Sequence, residues 1–250
     1  MSVDANAFKL GDPRGGLAPA VLCLHGLTGT PYEVRSPAEA LAAAGFYCEG
    51  PLLPGHGTTP LELARTGWRL WLDHVLESHA ALAERHEHVY TLGLSLGGLL
   101  ALALAARRSL RGVVVLAVPL DLGWLVQRAV PLLKGLVRQL PKTPAIRDLE
   151  ARARHPGYDR MPLAAVHQLL GLAADVRAGL PRVTAPVQGV FSRLDPTVPV
   201  RNAAILMGEL PPGDRELLWL ERSGHVLPVD FERDVVAEKA VQFLDRLEKR

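Results

Sequence analysis

The run Val89-Tyr90-Thr91-Leu92-Gly93-Leu94-Ser95-Leu96-Gly97-Gly98 constrains this chain more than any other. It opens as an apolar, β-branched segment, the pattern of a buried parallel strand. It passes through Gly-Leu-Ser-Leu-Gly and continues as Leu99-Leu100-Ala101-Leu102-Ala103-Leu104-Ala105-Ala106, a run of strong helix formers. A serine between strand and helix, with glycine two residues away on each side, fits a sharp turn held in strained backbone. Glycine at those two places lets neighbouring backbone pass close by. The turn projects the hydroxyl off the end of the sheet, and the next N–H, at a helix N-terminus, favours negative charge. Ser95 is therefore a candidate nucleophile. The plainer reading is a small residue packed at a helix start.

The rest of the chain alternates strand and helix. Ala7 to Leu10 reads as a short edge strand, closed by turn residues at Gly11-Asp12-Pro13 and Gly15-Gly16. Pro19 to Leu24 reads as a buried strand that runs into His25-Gly26-Leu27-Thr28-Gly29. Thr30, Pro31 and Glu33 match a helix start with an N-cap, a first-turn proline and a capping box, and Gly45 ends that helix. Phe46 to Pro51 is the next strand, followed by the turn-rich Pro54-Gly55-His56-Gly57. Glu62 to about Arg85 reads as one helix with Trp68 and Trp71 on its core face. His74, His79, His86 and His88 read as surface or helix-end residues. Gly112 to Pro119 is another buried strand. This order implies a mostly parallel sheet with helices on both faces.

From Asp121 the pattern changes. Residues 121–177 show no clear strand but amphipathic pieces, Trp124–Leu140, Arg147–Arg154 and Leu163–Arg177, broken by proline. They read as a helical cap inserted into a core made of 1–120 and 178–250, over the C-terminal edge of the sheet. Trp124, Leu125, Val126, Val130, Leu132, Leu133, Leu136 and Val137 are candidates to line an apolar pocket or to anchor the cap. The sheet resumes at Ala185 to Ser192, with Asp195 on a tight loop after it. A helix follows from Val200 to Leu210. Glu216 to Leu220 is the last strand and leads to Ser223-Gly224-His225. A helix from about Asp230 to Leu247 closes the chain.

Composition narrows the function. With 250 residues, 48% apolar and a net charge of +2, the chain fits one large α/β domain and shows no bias toward nucleic acid or an anionic membrane. Its basic residues are scattered, with no basic run interleaved with aromatics. Met1 to Gly16 carries Asp4 and Asp12 and no apolar segment of the signal-peptide kind. The apolar stretch near Leu92–Ala106 is too short and too glycine-broken to span a bilayer. Cys23 and Cys48 both fall in expected core strands, as buried thiols of a reducing compartment do. The expectation is a cytoplasmic protein without stable membrane insertion. No metal-ligand spacing and no nucleotide-binding loop is visible, so no metal and no cofactor is expected. The oligomeric state is not legible.

Serine needs a base to become a nucleophile at neutral pH. Histidine suits the task, and a carboxylate fixes its tautomer. Ser95, Asp195 and His225 each follow an expected core strand, which brings them to one edge of the sheet. Of the nine histidines, His225 alone sits on a glycine turn after the last strand. His56 has the glycine-flanked setting of a structural loop histidine. Asp121 rivals Asp195 for the acid, since it too follows a core strand; the tighter, proline-fixed loop favours Asp195. The backbone N–H groups of Leu27 and Leu96 are candidate donors to an oxyanion.

Together, His25-Gly26-Leu27-Thr28-Gly29, Pro54-Gly55-His56-Gly57, Gly93-Leu94-Ser95-Leu96-Gly97-Gly98, Leu194-Asp195 and Ser223-Gly224-His225-Val226 resemble the bacterial carboxylesterase and monoacylglycerol lipase family of α/β-hydrolases. The resemblance spans nearly the whole chain and is weakest in residues 121–177. It implies the α/β-hydrolase fold with a small helical cap. It also implies a serine esterase acting on short- to medium-chain acyl esters or monoacylglycerols through an acyl-enzyme intermediate. Such proteins commonly carry phenylalanine after His-Gly; Leu27 here implies a roomier pocket wall. The same three residues also serve thioesterases and carbon–carbon bond hydrolases, and the same body serves non-catalytic ligand receptors.

Overall fold

The structure is a computed structural model that describes residues 4–12, 18–142 and 145–250. Pro13, Gly15 and Gly16, expected in a turn, lie outside the described residues, as do Met1 to Val3. The first half holds β1 (Phe8–Leu10), β2 (Ala20–Leu24), α1 (Tyr32–Ala43), β3 (Tyr47–Gly50), α2 (Pro60–Arg65), α3 (Trp68–Ala83), β4 (Val89–Leu94), α4 (Leu96–Ala105) and β5 (Gly112–Leu116). Then come α5 (Trp124–Leu133), β6 (Gln139–Pro141), α6 (Leu149–Arg154), β7 (Arg160–Pro162) and α7 (Leu163–Gly179). The chain closes with β8 (Val187–Ser192), α8 (Arg201–Glu209), β9 (Arg215–Leu220) and α9 (Arg233–Glu248).

Seven strands form one sheet in the order β1-β3-β2-β4-β5-β8-β9. β1 is antiparallel to β3, and every other pairing in that sheet is parallel. The α/β-hydrolase architecture expected from the sequence is thus what the chain adopts. β2, β4 and β5 are buried at every residue, as central parallel strands covered on both faces must be. Their side chains alternate between two cores. Val21, Cys23, Leu92 and Val114 pack with Val34, Leu41, Phe243 and Leu244 of α1 and α9. Ala20, Leu22, Leu24 and Val113 pack with Trp71, Leu99, Leu102 and Leu172 of α3, α4 and α7. Cys23 and Cys48 are buried free thiols.

Several local expectations need correction. The stretch expected as one helix over 62–85 is two, because Thr66 is extended and Gly67 starts α3 afresh. His79 and His86 are buried, not superficial; His86 Nδ1 lies 2.8 Å from the Ala18 carbonyl, which satisfies it inside. Residues 121–177 are not purely helical. The first amphipathic piece ends at Leu133, and β6 pairs with β7 in an antiparallel ribbon. Prolines at the end of each of these strands, Pro141 and Pro162, mask the strand pattern. The closing helix starts at Arg233 rather than Asp230, because Leu227–Val229 form a 3₁₀ turn first. The capping box at Thr30 does not form: Pro31 occupies the cap with helical dihedrals and no side-chain bond. Glu33 is drawn elsewhere.

Candidate active site

Ser95 sits at φ +53°, ψ −110°, a conformation that L residues adopt only when their surroundings impose it. Its N–H donates to the Leu116 carbonyl at 2.8 Å, and its own carbonyl accepts from Leu99 N–H at 3.0 Å, which locks the β4–α4 turn against the end of β5. The flanking glycines are required by contact. A Cβ on Gly93 would lie 2.2 Å from the Gly97 carbonyl oxygen, and one on Gly97 would lie 2.0 Å from the Leu24 carbonyl oxygen. The start of α4 is thus pressed against the end of β2, where the His25–Thr30 loop begins.

That loop is pinned around Gly26. His25 is fully buried; its Nε2 accepts from Leu53 N–H at 3.1 Å, so Nδ1 carries the proton and donates to the Gly26 carbonyl at 2.9 Å. Burial lowers the affinity of His25 for a second proton, which keeps it neutral. Gly29 N–H also donates to the Gly26 carbonyl, at 3.1 Å, and Gly26 N–H donates to Glu33 Oε2 at 2.8 Å. Among the described residues, neither the Leu27 nor the Leu96 N–H donates a hydrogen bond to protein. Two free backbone donors flank the serine turn, the arrangement an oxyanion needs.

His225 Nδ1 lies 2.7 Å from Asp195 Oδ2. Burial alone would raise the Asp195 carboxyl, but the His225 imidazole and the N–H groups of Val198 and Thr197 outweigh it, so its pKa falls below the ordinary carboxylate value. Asp121 points to other partners. Its Oδ2 pairs with Arg201 Nε at 3.1 Å, and its Oδ1 accepts Gly123 N–H at the start of α5. His56 is a loop histidine: Nδ1–H donates to the Pro54 carbonyl at 3.2 Å, the ring packs edge-on against His25, and burial pulls its pKa down to about 3. Of Trp68 and Trp71, Trp71 is core and donates from Nε1 to the same Pro54 carbonyl.

Ser95, His225 and Leu27 line one cavity of about 290 Å³. Leu94, Leu122, Val126, Met161, Val166 and Leu169 form its apolar wall, and Glu33 and Lys142 face it from the polar side. Of the apolar residues of 124–137 expected as pocket candidates, Val126 alone lines this cavity. Trp124, Leu125, Leu132 and Leu136 are exposed on the outer face of the segment, since α5 presents only one side inward.

Three polar residues, Glu33, His155 and Asp230, escape a reading of the sequence. Glu33, with its pKa pulled down to about 2, bonds to Gly26 N–H and to His155 Nε2, the latter at 2.8 Å. Asp230 is buried and accepts N–H bonds from Gly224, Arg147 and Asp148, tying the His225 loop to residues 147–148. The only hint in the chain is a lone acid in the apolar run Leu227-Pro228-Val229-Asp230-Phe231. Glu33 gives a misleading signal, since its spacing from Thr30 satisfies a capping box. Among the described residues no three His, Cys, Asp or Glu converge as a metal site, and no helix is long and apolar enough to cross a membrane.

Comparison with known proteins gives a consistent set of likenesses. Residues 21–239 match the model of the alpha/beta hydrolase family. The chain is 31% identical over 245 residues to a carboxylesterase of Bacillus subtilis (strain 168), with 96% of each chain covered. It is 31% identical over 229 residues to a thermostable monoacylglycerol lipase of Bacillus sp. (strain H-257), with 89% of each covered. A solved structure from work on two metagenome-derived lipolytic enzymes superposes with a TM-score of 0.88 at 27% identity, covering 100% of both chains.

Proposed function

The chain belongs to the alpha/beta hydrolase family, and from that premise we propose that it hydrolyses carboxylic esters with Ser95 as nucleophile, His225 as base and Asp195 as the orienting acid. The observation that carries the reading is the 2.7 Å contact from His225 Nδ1 to Asp195 Oδ2 beside a cavity that Ser95 and His225 share. With the Nδ1 proton held by Asp195, Nε2 is the ring atom available to take a proton. Ser95 Oγ attacks the ester carbonyl carbon as its proton passes to His225 Nε2. The N–H groups of Leu27 and Leu96 bind the oxyanion. The intermediate collapses, His225 gives its proton to the departing alkoxide, and the acyl group stays on Ser95. Water, deprotonated by His225, then attacks the acyl-enzyme and releases the acid.

The names of the two Bacillus relatives support ester hydrolysis as the activity. The apolar wall of the cavity supports an acyl chain as the part bound there, and residues 121–177, which contribute Leu122, Val126, Met161, Val166 and Leu169, act as its cap. The substrates are short- to medium-chain acyl esters or monoacylglycerols, and the compartment is the cytoplasm. Turnover of a butanoyl ester, a dodecanoyl ester and a monododecanoyl glycerol, measured side by side with Ser95→Ala as the blank, tests this. Fastest turnover of the glycerol ester assigns a monoacylglycerol lipase, and of the butanoyl ester a short-chain carboxylesterase. No turnover above the blank on any of them overturns the reading.

A further inference from the structure

A buried acid normally ends up in a helix cap, a salt bridge or a catalytic dyad. Glu33 pairs with a histidine and also takes a backbone N–H of a second segment. It lies in the first turn of α1, is 2% exposed, and has one oxygen on each of two separate segments. Oε2 accepts Gly26 N–H at 2.8 Å. Oε1 accepts from His155 Nε2 at 2.8 Å, across 122 positions of sequence. The His155 tautomer is set in turn by Gly157 N–H, which donates to Nδ1 at 3.3 Å. The loop is wrapped tightly around the carboxylate: a Cβ on Gly29 would lie 2.2 Å from the Glu33 carboxyl carbon.

These contacts bear on the two peptide planes that meet at the Gly26 Cα. The Gly26 carbonyl is held by His25 Nδ1–H and Gly29 N–H, while the Gly26 N–H is held by Glu33. The Gly26 carbonyl and the Leu27 N–H share one trans plane and point opposite ways, so fixing the carbonyl fixes that N–H. Glu33 fixes the preceding His25–Gly26 plane, and the two together leave no freedom in the Gly26 backbone torsions about which the Leu27 N–H would swing. The segment that carries His155 grips the same loop again: Tyr158 N–H donates to the Thr28 carbonyl at 2.9 Å. The Tyr158 hydroxyl reaches over to donate to the Gly55 carbonyl at 3.1 Å.

We propose that Glu33 is a positioning residue that aims the Leu27 N–H at the developing oxyanion, and that His155, from the 121–177 segment, holds Glu33 in register. Seating of that segment and assembly of the oxyanion hole are then one event. The inference rests on the reading of Ser95 as nucleophile. Neither Glu33 nor His155 touches the reacting atoms.

The test uses a trifluoromethyl ketone with an acyl-like chain. Ser95 Oγ adds to its carbonyl carbon, the serine proton passes to His225, and the former carbonyl oxygen carries the charge in the hole. Glu33→Gln, His155→Ala and His155→Gln are compared with the native protein for kcat, KM and ketone affinity. Loss of a single well-aimed donor in such a site costs about 10²–10³-fold in kcat, and a misaimed one costs less. Glu33→Gln and His155→Ala are expected to lower kcat about tenfold or more, with KM within twofold and ketone affinity falling in step. His155→Gln, which keeps a donor near the Nε2 position, is expected to restore most of the loss. If the folded Glu33→Gln protein keeps kcat and ketone affinity within twofold, the proposal is wrong. If Glu33→Gln does not fold, the two His155 variants decide, and equal kcat values for them overturn it. A native protein that neither binds the ketone nor hydrolyses esters overturns the reading of Ser95 itself, and the inference with it.

Discussion

His225 and Asp195 meet at 2.7 Å although 30 residues separate them, and both side chains are almost withdrawn from solvent. The contact joins the loop after β9 to the loop after β8, two strands paired in parallel along their full length. Parallel pairing puts both loops at the same edge of the sheet. Ser95, at the end of β4, belongs to that edge too.

This pairing predicts an order of damage among the acids. Asp195→Asn leaves the imidazole without its carboxylate and favours the wrong tautomer, a change that costs about 10⁴-fold in kcat in serine proteases. Asp121→Asn loses only a half-exposed pair with Arg201 and a turn contact, and is expected to change kcat by less than about tenfold, as exposed ion pairs contribute little. Steady-state kinetics of the two variants on one ester checks the ranking; the reverse order assigns the acid to Asp121.

The serine turn predicts intolerance at Gly97. Its missing Cβ would sit 2.0 Å from the Leu24 carbonyl, which is backbone of a central strand and has no room to retreat. Gly97→Ala is expected to cost on the order of 3 kcal/mol, at the upper end for overpacking. Chemical denaturation of the variant measures it. Gly208, where a Cβ meets nothing within 4 Å, is the control site, and Gly208→Ala is expected to leave stability unchanged or raised.

Glu33 predicts a pH dependence of stability. Burial would raise its pKa, but the hydrogen bond from His155 and the neighbouring His155 and Lys142 outweigh burial and bring it from 4.5 to about 2. The unfolded chain therefore binds the proton first, so stability rises with pH between about 2 and 4.5 and that contribution is complete above 4.5. Melting temperatures of the native protein and of Glu33→Gln across that range test the sign. The native protein is expected to lose stability more steeply as pH falls.

The cavity predicts a change in chain-length preference. Val126 lines it from α5, and replacing it with tryptophan fills part of about 290 Å³. Val126→Trp is expected to lower kcat/KM for a dodecanoyl ester at least tenfold more than for an acetyl ester. Equal effects on both would place the acyl chain elsewhere.

How much of this was legible varies with the range of the interaction. The sheet and its order of elements are legible because buried parallel strands announce themselves as β-branched apolar runs, and loops after them can be read off directly. The loop positions of Ser95, Asp195 and His225 follow from that alone. The β6–β7 ribbon is not legible, since strands of three residues ending in proline carry no periodicity. The Glu33–His155 contact is not legible either. Thr30-Pro31-Tyr32-Glu33 satisfies a local rule for a helix cap, and a carboxylate taken up by a partner far along the chain leaves no local mark. Tertiary competition won over the local preference.

The most direct test of Ser95 as nucleophile is covalent labelling. The native protein is treated with a fluorophosphonate, digested, and mapped by mass spectrometry, with Ser95→Ala and ester turnover measured in parallel. The expected result is one phosphonyl group per chain, located on Ser95. Turnover in the alanine variant is expected to fall by about 10⁶-fold, as for nucleophile removal in a comparable hydrolase. A native protein that stays unlabelled, a label on another residue, or an alanine variant that keeps a tenth of the activity would contradict the account.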